Sequence, residues 1–246
     1  MIDAKHLVKT FNKGKVVAVD GVSFQAKDGQ ITGLLGPNGA GKTTTLRMLY
    51  TLLPPDQGEM SIDGVDPAKQ PLAVKRAIGV VPDSRGLYDR LTARENIAYY
   101  GKMQGLSQAD IQQRIERFCD VLDMHEFIDR RTNGFSQGQR VKVAIARALI
   151  HDPQTVLLDE PTNGLDVMTT RALRGFLMDL KAQGRCVVLS THIMQEVAAL
   201  CDHIVIIAKG KVAAEGSAEA LLAKSGAKTL EDAFVQLIGS DEGLLS

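Results

Sequence analysis

A chain of 246 residues with 44% apolar residues carries enough hydrophobic material to bury a core as one large domain or two small ones. Lysine plus arginine and aspartate plus glutamate balance at 29 each, so no global field draws the chain onto nucleic acid or an anionic membrane, and a DNA-binding role loses weight. No apolar run reaches the roughly 18 to 20 residues needed to span a bilayer, and Met1-Ile2-Asp3-Ala4-Lys5-His6 lacks the apolar centre of a signal peptide, so a globular protein that stays in the cytosol is expected.

Residues 1 to 30 alternate short apolar stretches (Ala4 to Val8, Val16 to Val19, Val22 to Phe24) with turn residues at Lys13-Gly14 and Asp28-Gly29, which predicts an antiparallel meander. Phe11 stands just before the first turn, where its ring face could take an adenine or simply close a small core. Ile31-Thr32-Gly33-Leu34-Leu35 then reads as a buried strand and Lys42 to Tyr50 as a helix. Between them lies Gly36-Pro37-Asn38-Gly39-Ala40-Gly41-Lys42-Thr43-Thr44, a match to G-x-x-x-x-G-K-[ST] in the strand, loop, helix order that a phosphate-binding loop requires. Its glycines let successive backbone N–H groups converge on an anion at the positive end of the following helix. Lys42 is placed for the outer phosphates and the Thr43 hydroxyl for Mg²⁺. A nucleoside triphosphate site follows, with GTPases and kinases still open at this point.

Leu52 to Asp56 breaks regular structure, Gly58 to Asp63-Gly64 reads as a strand ending in a turn, and Ile78 to Val81 as a buried strand that runs out at Pro82-Asp83. From Ser84 to about Arg147 the periodicity is helical: Thr92-x-x-Glu95 is a capping box before Asn96 to Met103, and Ile111, Ile115, Phe118 and Leu122 make one apolar face. Ser136 to Gly138 open a further helix, as an ordinary N-cap or as a second anion site. Thr155 to Glu160 is an apolar strand ending in two carboxylates. At the C-terminal edge of a parallel sheet these face the ligand crevice, Asp159 toward the magnesium ion and Glu160 toward an attacking water. After a turn to Asp166, a helix runs to about Gln183 with Gly184 as its stop, and the strand Arg185 to Ser190 delivers Thr191-His192, where His192 could donate to the outer phosphate. A hairpin at Ile204 to Ala213 and a helix capped by Thr229 and ended by Gly239 complete the order, with a tail from Ser240 expected to be disordered. Cys119, Cys186 and Cys201 lack paired spacing and read as buried free thiols rather than metal ligands.

This set resembles the ATP-binding subunit of ABC transporters over nearly the whole chain. The discriminating runs are Phe135-Ser136-Gln137-Gly138-Gln139, similar to the family's L-S-G-G-Q signature, Asp159-Glu160-Pro161-Thr162 leading into Gly164-Leu165-Asp166, and Ser190-Thr191-His192. The resemblance implies an α/β P-loop NTPase (RecA-like) core with an N-terminal antiparallel β subdomain and an inserted α-helical subdomain. The ATP-binding domain would cover 1–223, with 1–83 and 148–223 as the β subdomain and core, 84–147 as the helical part, and 224–246 as a C-terminal helix and tail. It implies that Phe11 stacks on adenine, Lys42 and Thr43 hold phosphate and magnesium, Asp159 supports the ion, Glu160 is the base and His192 contacts the outer phosphate. It also implies a head-to-tail dimer, of two copies or with a related ATPase subunit, in which Ser136 to Gln139 of one chain close on ATP held by the other and Asp166 lies in the seam.

Three positions, two in the signature and one at Asp83, depart from the family pattern. Gln137 replaces a glycine and Phe135 a leucine, but Ser136 and Gly138 are retained and binding is expected to survive. Asp83 stands where a glutamine is usual. A carboxylate about 5 Å from a phosphate charge costs roughly 3 kcal/mol, so Asp83 is expected to face the magnesium shell or a cation such as Arg85. Gly86 to Asn96, Arg140 to Pro153 and Asp83 look like the sodium- and drug-extruding exporter branch, in which the ATPase docks on a separate transmembrane permease at the cytoplasmic membrane face, here through Asp83 to about Tyr100. A soluble ABC-type ATPase acting on nucleic acid or ribosomes is the rival. A GTPase is weaker, since Asn12-Lys13-Gly14-Lys15 lacks the aspartate of the guanine-reading pattern and precedes the loop.

Overall fold

The computed structural model describes residues 1–84 and 86–239. The expected tail from Ser240, and Arg85 as a partner for Asp83, lie outside the described residues. Two sheets organise the chain: an antiparallel one in the order β2-β1-β4 and a six-stranded one in the order β5-β6-β7-β3-β8-β9.

The N-terminal hairpin pairs β1 (Ile2–Phe11) with β2 (Val16–Ala26), and β4 (Gln57–Ile62) joins β1 on its other side. Val16–Val19 and Val22–Phe24 therefore belong to one long strand, and the third strand of this sheet comes from beyond the phosphate loop, which corrects the meander read within residues 1 to 30. The apparent break at Asp20-Gly21 is an irregularity in register: Leu7 pairs with Val22 but Val8 with Asp20. Another irregularity between Ala4 and Leu7 shifts the inward period, so that Ile2, Ala4 and Leu7 are all buried.

In the larger sheet β3 (Gln30–Leu35) lies between β7 (Cys186–Thr191) and β8 (His203–Ala208), while β6 (Thr155–Asp159) lies between β7 and β5 (Ile78–Val81). All these pairings are parallel, and only β9 (Lys211–Gly216) runs antiparallel at the edge. Every residue of β6 and β7 is buried, the consequence of covering a parallel sheet on both faces. Val187 and Leu189 face one core with the helices, whereas Cys186 and Val188 face another that includes Leu46 and Leu49 of α1 (Lys42–Leu49) and Ile2 and Phe24 of the small sheet.

The short helix α2 (Pro71–Ala77) precedes β5; α3 (Ala93–Met103), α4 (Gln108–Leu122) and α5 (Gln137–Leu149) follow it and share the first core with the sheet. The Thr92–Glu95 capping box is formed in both directions, at 3.0 Å and 2.7 Å. After β6, α6 (Val167–Ala182) is capped by the Asp166 side chain; α7 (Met194–Leu200) links β7 to β8, and α8 (Ala218–Ser225) and α9 (Leu230–Ile238) follow β9. The short helices α2, α7 and α8 escape sequence pattern because each spans only about two turns and buries few side chains. Cys119 and Cys186 are buried as expected, but Cys201 is only half-buried.

Asn96 is fully buried and shapes the loop before α3. Its Oδ1 accepts from Tyr88 N at 2.9 Å, and its Nδ2 donates to Tyr88 O at 3.1 Å and Thr92 O at 2.9 Å. Removing these groups leaves a part-buried backbone donor, Tyr88 N, unpaired. Asn96→Leu should cost about 1–3 kcal/mol of unfolding free energy, read as a lower urea midpoint at constant slope. An unchanged midpoint would show that this loop is held by other contacts.

Candidate active site

The register of the large sheet brings four strand ends to one place. Leu35 is opposite Thr191, Asp159 opposite Ser190, and Val81 opposite Leu158, so the chain leaves the sheet at Gly36, Glu160, His192 and Pro82 along one edge. Asn38 to Thr44, Asp83, Glu160, Asn163 and His192, with Ala18 from β2, line a single cleft there.

The phosphate loop tolerates only glycine at two positions for contact reasons. A Cβ on Gly36 would lie 2.2 Å from Ile207 O, and one on Gly41, at φ +108°, 2.4 Å from Ala18 O. Gly41 is also the N-cap of α1 and offers no side chain to its first N–H groups, which remain for a bound anion. Lys42 is buried, with Nζ donating to Gly36 O at 2.7 Å and Pro37 O at 3.1 Å, and lies 3.4 Å from Glu160 Oε1.

Asp159 is 3% exposed. Burial pushes its carboxyl above the usual aspartate range; hydrogen bonds from Ser190 Oγ at 2.6 Å and Thr43 Oγ1 at 3.1 Å oppose that, and the nearby Asp83 and Glu160 carboxylates add to it. Glu160 has φ +47°, a left-handed backbone that costs a non-glycine residue on the order of 1–3 kcal/mol. Its N–H donates to Ser190 O and Ser190 Oγ, which holds that turn and aims the side chain into the cleft, where Oε2 meets His192 Nδ1 at 2.9 Å. Asp83, Asp159, Glu160 and the Thr43 hydroxyl form an all-oxygen donor set with more negative than positive charge. That chemistry fits a hard divalent cation such as Mg²⁺, and a polyanion joining these carboxylates requires one.

Ser136 to Gln139 are not in this cleft. Ser136 Oγ accepts from Gln139 N and Gln139 Oε1 from Ser136 N, a closed capping box at the start of α5. Gln137 lines a neighbouring cleft with Asp83, Ser84, Gly86, Arg140, Asn163 and Gly164, and its Cγ is 3.9 Å from where a Gly164 Cβ would stand. The glutamine therefore occupies space over the turn that follows Glu160. Phe11 is at the end of β1, 37% exposed and outside the lining of the phosphate cleft. Sequence reasoning had not singled out Asn163 or Ala18. Neither carries a motif of its own, and both reach the cleft through the fold.

Outside this region Glu116, Cys119 and His125 place possible ligand atoms within 4.8 Å of one another. Arg94 already lies on Glu116 at 2.8 Å, and burial raises the Cys119 thiol above its ordinary pKa, so the thiolate that a metal would need is disfavoured there.

Residues 19–163 match the ABC transporter family. The chain belongs to that family. It is 46% identical over 226 residues to the ABC transporter ATP-binding protein NatA of Bacillus subtilis (strain 168), covering 91% of this chain and 92% of the relative. It is 36% identical to the linearmycin resistance ATP-binding protein LnrL of the same organism, over 94% of this chain and 73% of that one. Among solved structures, a dimeric post-hydrolysis state of an ATP-binding cassette bound to ADP and Pi superposes with a TM-score of 0.81 at 28% identity, covering 88% of this chain and 98% of that chain. The fold is that of the ABC ATPase cassettes, and the chain is an ATP-binding, ATP-hydrolysing subunit of this class.

The burial of Asp159 carries a cost in stability that depends on pH. Its raised pKa means that, where it is ionised in both folded and unfolded chains, the folded state is penalised; the penalty disappears once pH falls below the unfolded value. Asp159→Asn should thus show a higher Tm than wild type at pH 7, the gap closing toward about pH 4, while ATP hydrolysis is lost. A lower Tm at neutral pH would mean that the ionised carboxylate is a net stabiliser of the fold.

Proposed function

We propose that this chain is the motor subunit of an exporter: two copies, or one copy and a related subunit, close head-to-tail on two ATP molecules and drive a separate membrane permease. The observation that supports the dimer is that Ser136–Gln139, at the exposed start of α5, do not line the chain's own phosphate cleft, and that Gln137 instead lines an adjoining cleft that shares Asp83 and Asn163 with it. A signature start that does not line its own chain's phosphate cleft is suited to a nucleotide held by a neighbour.

In this reading the phosphate loop N–H groups and Lys42 bind the phosphates, and Phe11 takes the adenine face at the outer end of β1. Thr43, Asp159 and Asp83 would hold Mg²⁺, which supplies charge neutralisation between the carboxylates and the phosphates. Glu160 orients the attacking water and accepts its proton. His192 donates to the outer phosphate once its ring leaves Glu160, and Ser136, Gln137, Gly138 and Gln139 of the opposing chain complete the enclosure. Because those contacts exist only in the closed dimer, ATP favours closure, and hydrolysis with phosphate loss removes the preference.

The docking surface proposed at Asp83 to about Tyr100 is an aromatic shelf. Tyr88 and Tyr99 are half exposed with rings edge-to-face at 5.6 Å, Tyr100 lies beside them at 5.9 Å, and Arg147 stacks on Tyr100 at 4.6 Å. No described helix is long and apolar enough to cross a membrane, so peripheral attachment at the cytoplasmic face through this shelf is proposed. Export is favoured by the resistance function in the name of LnrL, and the cargo class, sodium or a drug-like compound, would be set by the permease.

The decisive experiment is to purify Glu160→Gln with ATP from the native membranes. A dimer that accumulates only with ATP and brings a multispanning protein with it supports the proposal; recovery with ribosomes or nucleic acid alone overturns it. Tyr88→Ala with Tyr99→Ala should retain ATP binding and lose the membrane protein. Continued co-purification would remove the shelf from the docking surface.

A further inference from the structure

Glu196 on α7 is 3% exposed, in none of the motifs, and yet tied to both loops that carry the proposed chemistry. Its Oε2 accepts from Thr162 Oγ1 at 2.5 Å and from Thr191 Oγ1 at 3.3 Å. Thr162 is two residues beyond Glu160 and Thr191 is the residue before His192; both are buried, at 5% and 0%. Thr191 Oγ1 also accepts from Ile193 N at 3.0 Å, so its hydroxyl is committed on both sides of His192. The loops after β6 and β7 are therefore joined twice: at the cleft by His192 and Glu160, and beneath it by Thr162, Glu196 and Thr191.

These two ties differ in what the reaction permits. The His192–Glu160 contact occupies the imidazole Nδ1 and a carboxylate oxygen that the proposed roles require for phosphate and water, and His192 is exposed. Lying where phosphate and water would enter, it is open to exchange and is the less durable of the two ties. The buried tie makes no contact with the cleft and can persist throughout. We propose that Glu196 is a positioning residue, which sets the separation of Glu160 and His192 from below when their direct contact is given up. The inference rests on the roles proposed above for those two residues.

The test is steady-state hydrolysis and nucleotide binding by the full chain in Glu196→Ala, Glu196→Gln and Thr162→Val. Loss of register misplaces reacting groups without touching the phosphate loop, so kcat should fall on the order of tenfold to a hundredfold in Glu196→Ala while KM and ATP affinity hold. Glu196→Gln, which keeps an acceptor for the threonine hydroxyls, should recover most of the rate. Thr162→Val removes one bond at nearly constant volume and serves if Glu196→Ala does not fold; its kcat should also fall at constant KM. Wild-type kcat in folded Thr162→Val or Glu196→Ala overturns the positioning role, as does a parallel loss of ATP affinity or a Gln variant no better than Ala. Glu160→Gln is assayed alongside: if it hydrolyses ATP at the wild-type rate, the assignment of the site has failed, a different result from failure of the buried tie.

Discussion

A nearly inaccessible carboxylate, Asp159, must be compensated by groups that approach it from other parts of the chain, and the arrangement of the site follows from that demand. Its partners are the hydroxyls of Thr43, from the first turn of α1, and Ser190, from the neighbouring strand β7. Satisfying it sets the phosphate loop, the β6 edge and the β7 edge against one another in a single register. Ser190 then also receives the Glu160 N–H, so the same pair of strand ends holds the adjacent carboxylate in its left-handed turn. Replacing any one of these contacts alters the placement of several functional groups together, since buried polar networks are satisfied as units.

The cleft that results is charged in an unbalanced way. Lys42 is held back over its own loop by two carbonyls, the Asp83 and Glu160 carboxylates line the cleft with it, and Asp159 lies buried beside them. Such a surface repels a polyphosphate unless a cation accompanies it, so affinity for the nucleotide and affinity for the metal are coupled through electrostatics. Asp83 strengthens this coupling. A neutral amide at that position would leave two carboxylates and lower the field at Asp159, whose pKa Asp83 helps to raise.

Contacts that hold the shape and contacts that do chemistry occupy different depths. His192 and the signature start at Ser136 are exposed, and Glu160 is partly buried beside His192 at the cleft, where a partner or a substrate can exchange with them. Beneath them, Thr162, Glu196 and Thr191 are closed to solvent, as is Asn96 below the aromatic shelf. Surface groups can therefore change partners without disturbing the loops that carry them. Local rearrangement on a rigid base is what a cycle of closure and reopening requires.

Much of this was legible along the chain because it is local. The phosphate loop, the Thr92–Glu95 and Ser136–Gln139 capping boxes, the fully apolar run ending at Asp159 and the Gly184 stop depend on residues a few positions apart, whose backbone and side-chain preferences act at short range. By the same token, the sequence determined the class of chemistry and marked Lys42, Asp159, Glu160 and His192, which the fold brings together at one edge of the sheet. It could not determine that β2 is one strand through Gly21, that β4 crosses over to complete the small sheet, that Asn163 and Ala18 line the cleft, or that Glu196 pairs with Thr162 and Thr191 beneath it. Those facts come from pairings across long stretches of chain: Thr43 and Asp159 are 116 residues apart, and Thr162 and Glu196 are 34. Only the tertiary structure decided them, because strand register and the need to pair every buried hydroxyl and carboxylate are conditions on space and leave no periodic mark in the sequence.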